Sequence, residues 1–396
     1  MKWASVYVKI LIMISELLTR AVSNIYPAAE KLKTALESGQ KLRIYFGIDP
    51  TGPTLHVGHL SVLLKLRDLQ DLGKQIKIII LFGDFTAQIG DPTDKSAVQK
   101  MMTPEIITEN LKNYREQIGK ILEIEKTEFR NNSEWLTKLT FAEILDLASN
   151  LTISQLIKRD MFQKRLGEEK DLFLHEFLYP VMQGYDSVAL DVDLEIGGND
   201  QTFNMLVGRD LLKKLKNKEK FVLATKLLVD PTGEKMGKTT GNMVAFSDTP
   251  ADAYGKVMSW PDTLLPLAFE LCTRLSDEEV GNILSGHPKE AKMRLAREIV
   301  ALIHDSKSAE EAEQNFVQTF QEGGEPVWEE LASEAGEKLV DLLVRAGVVK
   351  SKSDFRRLIQ EGAVTRWPEE KVKDPDLPAK PGDRLKIGKK RFIQVS

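Results

Sequence analysis

The sequence predicts an α/β fold built on a parallel sheet, followed by an α-helical unit and a small α+β unit. Three observations carry that prediction. Two apolar runs rich in β-branched residues, LRIYFGI at 42–48 and IKIIILF at 76–82, flank a single helical pattern, as neighbouring parallel strands do. After Phe246 the apolar spacing becomes helical, and no convincing strand appears up to residue 332. Residues 336–396 end in short alternating segments, LKIGKK and RFIQV, typical of small curled strands. The chain has 396 residues, of which 42% are apolar and 29% charged. It is long enough for more than one core and too apolar for global disorder.

Taken in order, Trp3 to Ile14 is mostly apolar but is interrupted by Lys9, too short to span a bilayer, and lacks a small-residue cleavage site. Either Met1 or Met13 can serve as the start. Residues 14–37 read as helix, with Leu17, Leu18, Ala21 and Val22 on one stripe, and residues 1–40 as an N-terminal helical segment. The strand at 42–48 opens onto a turn-rich loop, 49–58, containing Pro50, Gly52, Pro53 and Gly58. A helix at 59–72 stops at Gly73 before the strand at 76–82. Helices are predicted at 103–123, 140–149 and 174–188, and short strands at 191–196 and 221–229. Pro180 inside the third of these implies a kink or a helix start. Residues 250–332 read as helices, with Gly323-Gly324-Glu325-Pro326 as a connection, and 336–396 as two short helices followed by strands.

Charge sharpens the last boundary. The whole chain has a formal net charge of -4, which does not indicate a general polyanion binder. Residues 336–396 nevertheless hold 15 Lys+Arg and 9 Asp+Glu, leaving an acidic body and a basic tail. A polyanion contacted at that end is the expectation. The single cysteine, Cys272, excludes a disulfide framework and a cysteine-rich zinc site and fits a reducing, cytoplasmic home. No membrane contact is expected.

The most informative segment is Tyr45-Phe46-Gly47-Ile48-Asp49-Pro50-Thr51-Gly52-Pro53-Thr54-Leu55-His56-Val57-Gly58-His59, which leaves a buried strand and enters a helix. A helix entry offers N–H groups suited to phosphate. His56 and His59 can donate to phosphate oxygens whose charge shifts during reaction, and Gly58 lets a flat base lie on the backbone. The same histidines could be metal ligands or part of a solvated turn. A metal would want a third protein ligand, and no metal site is predicted. Far downstream, Lys235-Met236-Gly237-Lys238-Thr239 puts two lysines on a glycine-containing loop, mobile charges suited to a migrating diphosphate; alone it reads as a basic turn. In the helix over 174–188, Tyr179, Gln183 and Asp186 fall on one face as the wall of a polar cleft, although a surface stripe is the usual reason for such spacing.

Together, in this order and on an αβ frame, the two motifs resemble the signatures of class I aminoacyl-tRNA synthetases. With Gly90-Asp91-Pro92-Thr93 and Gly197-Gly198-Asn199-Asp200-Gln201, the stretch from about 41 to 245 resembles the tyrosyl-tRNA synthetases. The resemblance implies a Rossmann-like catalytic domain at 41–246, a helical anticodon-binding domain at 247–332 and an S4-like RNA-binding domain at 336–396. It implies that Tyr45 and Asp186 hold the substrate phenol, and that Asp91, Tyr179 and Gln183 hold its ammonium. Gln201 would lie near the carboxylate, and Asp49 and Asp200 at the substrate amine or ribose. ATP would meet Gly47, Gly58, Asp200, Met236 and Lys95, while His56, His59, Lys235, Lys238 and Thr51 would serve the chemistry. A phenol wants one donor and one acceptor, so phenylalanine would leave both buried groups unpaired. The family usually carries Lys-Met-Ser-Lys-Ser, from which Gly237 and Thr239 depart, and Gln99 stands where many members have arginine.

The implied activity is a tyrosine–tRNA ligase, an enzyme joining L-tyrosine through ATP to tRNA(Tyr), with Mg²⁺ accompanying ATP, no tightly bound cofactor, and a homodimer. Lys352, Arg356 and Arg357 are the implied RNA contacts of the tail, with Lys389, Lys390 and Arg391 as a second basic cluster. Lys292, Arg294 and Arg297 are candidate phosphate contacts on a helix that reads more readily as a solvated face. A tryptophanyl-type enzyme would share the signatures, but the Tyr45/Asp186 pair argues against an indole. A non-catalytic RNA-binding relative would not need both histidines and both lysines. Trp135, Trp260 and Trp328 read as packing residues, and His175 as a cap of the substrate helix.

Overall fold

The computed structural model describes residues 2–93, 102–229, 243–320, 328–334, 336–349, 351–367, 370–388 and 391–396. Its main sheet has six strands: β1 (Val22–Tyr26), β2 (Leu42–Ile48), β3 (Ile76–Phe82), β4 (Thr127–Asn131), β5 (Leu194–Gly198) and β6 (Phe221–Thr225). Their spatial order is β1-β6-β5-β2-β3-β4, and every pairing is parallel except that of β1 with β6. The chain goes from β2 outward to β3 and β4, then returns to the other side of β2 for β5 and β6. The order therefore reverses between β2 and β5, and ligands of open α/β sheets bind outside the strand ends at such a reversal.

The central strands follow from their sequences. Ile78, Ile79 and Ile80 are fully buried, as expected of a strand covered on both faces, and each such side chain contributes about 2 kcal/mol relative to exposure. The β2–β3 register runs from Leu42 opposite Ile76 to Ile48 opposite Phe82. These two strands have the predicted limits, whereas β6 ends at Thr225, short of 229.

The N-terminal segment corrects the helical reading of 14–37 and of 1–40 as a whole. A helix covers Lys2–Thr19, then β1 takes an edge of the sheet before the helix Ala29–Glu37. Ala21, at φ 56, and Pro27 interrupt the helical periodicity, and β6 supplies the hydrogen-bonding edge that fixes the intervening residues as strand. Strand β4, TEFRN, also went unpredicted because its residues are only half-buried and do not alternate. The region 103–123 is two helices, Pro104–Leu111 and Tyr114–Gly119, and Thr202–Lys216 forms a further, unpredicted helix. The helix Leu174–Leu190 runs through Pro180 unbroken.

From Pro250 to Phe320 the chain is helical, as expected. The last unit is a five-stranded sheet with helices Leu339–Arg345 and Lys352–Gln360. Its strands are β7 (Glu329–Leu331), β8 (Val364–Arg366), β9 (Glu370–Lys371), β10 (Arg384–Ile387) and β11 (Arg391–Val395). Because β7 pairs with β11, this unit starts before residue 332. It has its own apolar core around Leu343, Phe355, Val364, Leu385 and Ile393. Among the described residues no helix is long and apolar enough to cross a membrane.

Candidate active site

The reversal between β2 and β5 gathers most of the predicted site residues. Tyr45 and Gly47 lie on β2, and Asp49 and Thr51 on the loop leaving it. Gly47 is exposed although its strand is central, and a Cβ there would meet only the Tyr45 ring edge, at 3.9 Å. The backbone at that point therefore faces open space. Helices Pro104–Leu111 and Tyr114–Gly119 hold the following loop. Asn110 donates to the Pro50 carbonyl at 2.8 Å, Tyr114 to that of Gly52 at 2.7 Å, and Gln117 Oε1 accepts from Leu55 N–H at 2.7 Å.

His56 and His59 stand at the entry of the helix Leu60–Asp71, their ring centroids 4.1 Å apart. His56 Nδ1 accepts from Gly58 N–H, and His59 Nδ1 from His56 N–H, each at 3.1 Å. In the neutral His56 ring the bond from Gly58 leaves the proton on Nε2, the atom able to donate outward; His59 Nδ1 lies equally 3.1 Å from the His56 carbonyl, to which its Nδ1–H tautomer would donate. A Cβ on Gly58 would lie 2.9 Å from the His56 ring, so glycine keeps that geometry. Residues 243–246 are fastened to this loop. Val57 N–H donates to Val244 O, and Phe246 N–H to Leu55 O, both at 2.9 Å. The chain emerging from the second lysine motif is thus tied to the first motif. Lys235, Met236 and Lys238 themselves, like Lys95, Gln99, Gly237 and Thr239, lie outside the described residues.

On the pocket side, Tyr179 donates to Asp49 Oδ2 at 2.9 Å, and Thr86 to Asp49 Oδ1 at 2.7 Å. Gln201 donates to Asp91 Oδ2 at 2.6 Å, and the Thr93 N–H and hydroxyl cap the other Asp91 oxygen. Asp186 accepts from Trp135 Nε1 at 2.8 Å and from Asn132 Nδ2 at 3.2 Å. Asp49, Asp91 and Asp186 form no ion pair among the described residues. Burial raises Asp49 to about 7, against the hydrogen bonds of Thr86 and Tyr179. It likewise raises Asp91 and, more strongly, Asp186. Burial and the neighbouring carboxylates push the phenols of Tyr45 and Tyr179 well above their ordinary range. Gln183 Oε1 is buried without a hydrogen-bond partner among the described residues. Arg159 stands beside Asp91 and Lys220 behind Tyr45, but among the described residues neither forms an ion pair with Asp49, Asp91 or Asp186, and Gln183 Oε1 is an unused acceptor; unpaired carboxylates and a spare acceptor suit an organic cation.

On the face Tyr179–Gln183–Asp186, Tyr179 and Asp186 are buried, so it is not a solvent-exposed stripe. Asp200 and Gln201 follow β5, and the Gly198 position leaves room for the Asp200 carboxylate, 2.5 Å from where a Cβ would sit. Several partners had no signal of their own in the sequence. Trp135 is not merely packing, because its indole N–H holds Asp186. Asn132, Thr86 and Ser187 enter through contacts between distant elements, and Arg159 donates to Thr93 at 3.1 Å beside Asp91. His175 is not the helix cap; Glu176 caps the Phe173 N–H at 2.8 Å. Tyr45 Oη lies 3.1 Å from Ser187 Oγ.

The remaining predicted contacts are elsewhere. Lys292, Arg294 and Arg297 are each paired with carboxylates, of Asp262, of Glu298, and of Glu310 and Glu313. Lys352, Arg356 and Arg357 are exposed on a helix of the last unit. Lys352 pairs with Asp341, and Arg357 with Asp354 and Glu361, whereas Arg356 forms no ion pair among the described residues. Lys389 and Lys390 lie outside them.

Residues 37–321 match the family model described as tRNA synthetases class I (W and Y). The chain is 42% identical over 393 residues to the tyrosine–tRNA ligase of Moorella thermoacetica, covering 96% of this chain and 94% of that one. It is 40% identical over 377 residues to the tyrosine–tRNA ligase of Thermotoga maritima, covering 93% of each. Among solved structures, the C-terminally truncated mitochondrial tyrosyl-tRNA synthetase of Aspergillus nidulans superposes with a TM-score of 0.65 at 21% identity, over 81% of this chain and 99% of that one. The tyrosyl-tRNA synthetase of Archaeoglobus fulgidus complexed with L-tyrosine gives 0.59 at 24%, over 76% and 99%. At these identities the two structures speak for the fold.

Proposed function

The chain belongs to the class I tRNA synthetases of the tryptophan and tyrosine type, and within that family we propose the following reading. The protein is a tyrosine–tRNA ligase that uses ATP. The observation that carries the choice of substrate is the group of Asp49, Asp91 and Asp186, none in an ion pair among the described residues, beside Gln183 Oε1, which has no hydrogen-bond partner among them. Asp91, Tyr179 and Gln183 bind the tyrosine ammonium, with Asp49 behind Tyr179. Tyr45 donates to the phenol oxygen, and Asp186 accepts its proton. Gln201 lies at the carboxylate side and Asp200 at the ribose.

The tyrosine carboxylate attacks the α-phosphate in line, giving tyrosyl-adenylate and diphosphate. A ribose hydroxyl at the tRNA(Tyr) 3′ end then attacks the acyl carbon and releases AMP. No side-chain nucleophile is needed; positioning and charge stabilisation suffice. His56 and His59 serve the phosphates, His56 through Nε2–H, supported by Thr51, with Lys235 and Lys238 following the departing diphosphate and Lys95 contacting it. Gly47, Gly58 and Met236 border the nucleotide, and the open face at Gly47 supports that reading. Mg²⁺ accompanies ATP, held mainly by its phosphates. Among the described residues no three His, Cys, Asp or Glu side chains converge as a metal cage. Tyrosine-dependent ATP–diphosphate exchange tests the reading. Exchange with tyrosine and not with phenylalanine or tryptophan is expected; exchange with tryptophan instead would overturn it.

The finer partners belong to the same proposal. A homodimer is supported by the exposed Phe141, Leu145, Ile153, Leu166, Phe173 and Leu174, of which Leu174 is 76% exposed. Leu174→Asp is expected to shift the protein toward monomer in analytical ultracentrifugation. The helical unit reads the anticodon, and the last unit holds RNA through phosphate contacts, among them Arg356, which forms no ion pair among the described residues. Arg356→Ala is expected to reduce the salt slope of tRNA binding by about one unit. A cytoplasmic location completes the reading.

A further inference from the structure

We propose that Ser187 and the buried Lys220–Glu195 ion pair behind it are positioning residues that turn the Tyr45 hydroxyl into a donor toward the substrate phenol. The inference rests on the tyrosine-binding reading above. Lys220 is fully buried, and the Glu195 side chain is 4% exposed. Burying such a pair removes two charges from water, which is a weak source of stability, so its placement calls for another use. It lies directly behind the pocket. Lys220 Nζ is 2.8 Å from Ser187 Oγ, Ser187 Oγ is 3.1 Å from Tyr45 Oη, and the ammonium lies 5.9 Å from the Tyr45 ring centroid.

Donor counting fixes the first bond of the chain and limits the rest. An ammonium can only donate, so Ser187 accepts from Lys220 and has one proton to give. Its two acceptors in reach are Tyr45 Oη at 3.1 Å and Glu195 Oε2 at 3.3 Å. Glu195 Oε2 is the ion-pair partner of Lys220, and its Oε1 takes the Gln183 amide at 3.4 Å. In the arrangement proposed, the Ser187 proton goes to Tyr45, the shorter contact and the less engaged acceptor; the opposite arrangement, with Ser187 donating to Glu195 Oε2 and Tyr45 to Ser187, is the one the test below excludes. The Tyr45 proton is then turned toward the pocket. Among the described residues Ser187 Oγ and Glu195 compete for it; Lys220 occupies one Ser187 lone pair and offsets the Glu195 charge. Across the pocket both Asp186 oxygens are held by N–H donors, which fixes that group as an acceptor. A phenol between them completes a one-way chain: Lys220 to Ser187, Ser187 to Tyr45, Tyr45 to the substrate oxygen, and the substrate hydroxyl to Asp186. Bonds aligned in this way polarise one another. Space for the relay comes from the helix Thr202–Lys216. A Cβ on Gly208 would lie 2.5 Å from Ser187 Oγ and 2.8 Å from Lys220 Nζ.

The test is ATP–diphosphate exchange by Ser187→Ala and by the double variant Lys220→Met/Glu195→Gln, with tyrosine and with phenylalanine. The double variant removes both buried charges together, so neither is left unpaired. Each is expected to lower kcat/KM for tyrosine about tenfold and to leave the small phenylalanine rate unchanged, so that the tyrosine-to-phenylalanine ratio falls by the same factor. An unchanged ratio in soluble, folded Ser187→Ala would overturn the proposal. Equal losses with both amino acids would overturn it too, because they would mark a purely structural role. A wild-type enzyme without tyrosine preference would instead defeat the underlying substrate reading, which keeps the two failures distinct.

Discussion

At the scale of single residues, the site is governed by carboxylates kept out of water. Asp49 is held at about 7, against an ordinary 3.8, chiefly by burial. A folded-state pKa above the unfolded one contributes stability below the unfolded value and loses it as pH rises through the folded value. For Asp49 in the ligand-free protein that window runs from about pH 4 to about pH 7, the reverse of a salt-bridged aspartate. A tyrosine ammonium favours the ionised carboxylate, so binding should release a proton near neutrality. Tyrosine affinity is expected to rise with pH up to about 7, by at most about tenfold per unit. Calorimetric titrations in buffers of different ionisation heat would detect the proton, and Asp49→Asn should reduce its release near pH 7. The acidic identity of Asp49 was legible in the sequence, but its protonation was not, because burial by Thr86, Tyr179 and Gly83 comes from separate elements.

At the scale of elements, turns and helix ends set the distances on which the site depends. Gly83 follows β3 where a Cβ would lie 1.9 Å from Asp49 Oδ1 and 2.4 Å from Thr86 Oγ1. Gly83→Ala must displace that carboxylate and is expected to lower kcat/KM for tyrosine about a hundredfold, with a smaller effect on KM for ATP. The N-terminal segment has a structural counterpart to this precision. Arg20 donates to the carbonyls of Glu270 at 3.1 Å, Phe269 at 2.9 Å and Thr273 at 3.0 Å, satisfying the C-terminal end of the helix Leu265–Cys272. Arg20→Met is expected to cost about 2–3 kcal/mol of stability, read as a lower urea midpoint. Periodicity revealed helices such as Leu174–Leu190 and the β2 and β3 strands, since their burial repeats along the chain, but not the helix Thr202–Lys216. It missed β1 and β4, whose half-exposed residues become strand only when β6 and β3 supply partners.

At the scale of the whole molecule, the chain divides by core and by charge. The last sheet includes β7, which precedes the boundary suggested by composition. A deletion of 328–396 removes that sheet entire, whereas deletion of 336–396 strands β7 without β11. The longer deletion is expected to keep tyrosine-dependent exchange while lowering tRNA charging about tenfold or more at physiological salt. Equal loss of both activities would mean that the tail supports the catalytic fold. By itself the sequence determined the α/β class, the parallel strands at 42–48 and 76–82, the histidine loop at a helix entry and the polar stripe Tyr179–Gln183–Asp186. These are local patterns, set by side-chain spacing along one element. Only the tertiary structure decided that the strand order reverses between β2 and β5, that Trp135 and Asn132 hold Asp186, and that Lys220, Glu195 and Ser187 stand behind Tyr45. Those contacts join residues distant in sequence, and their energies depend on shared burial, which no single segment carries.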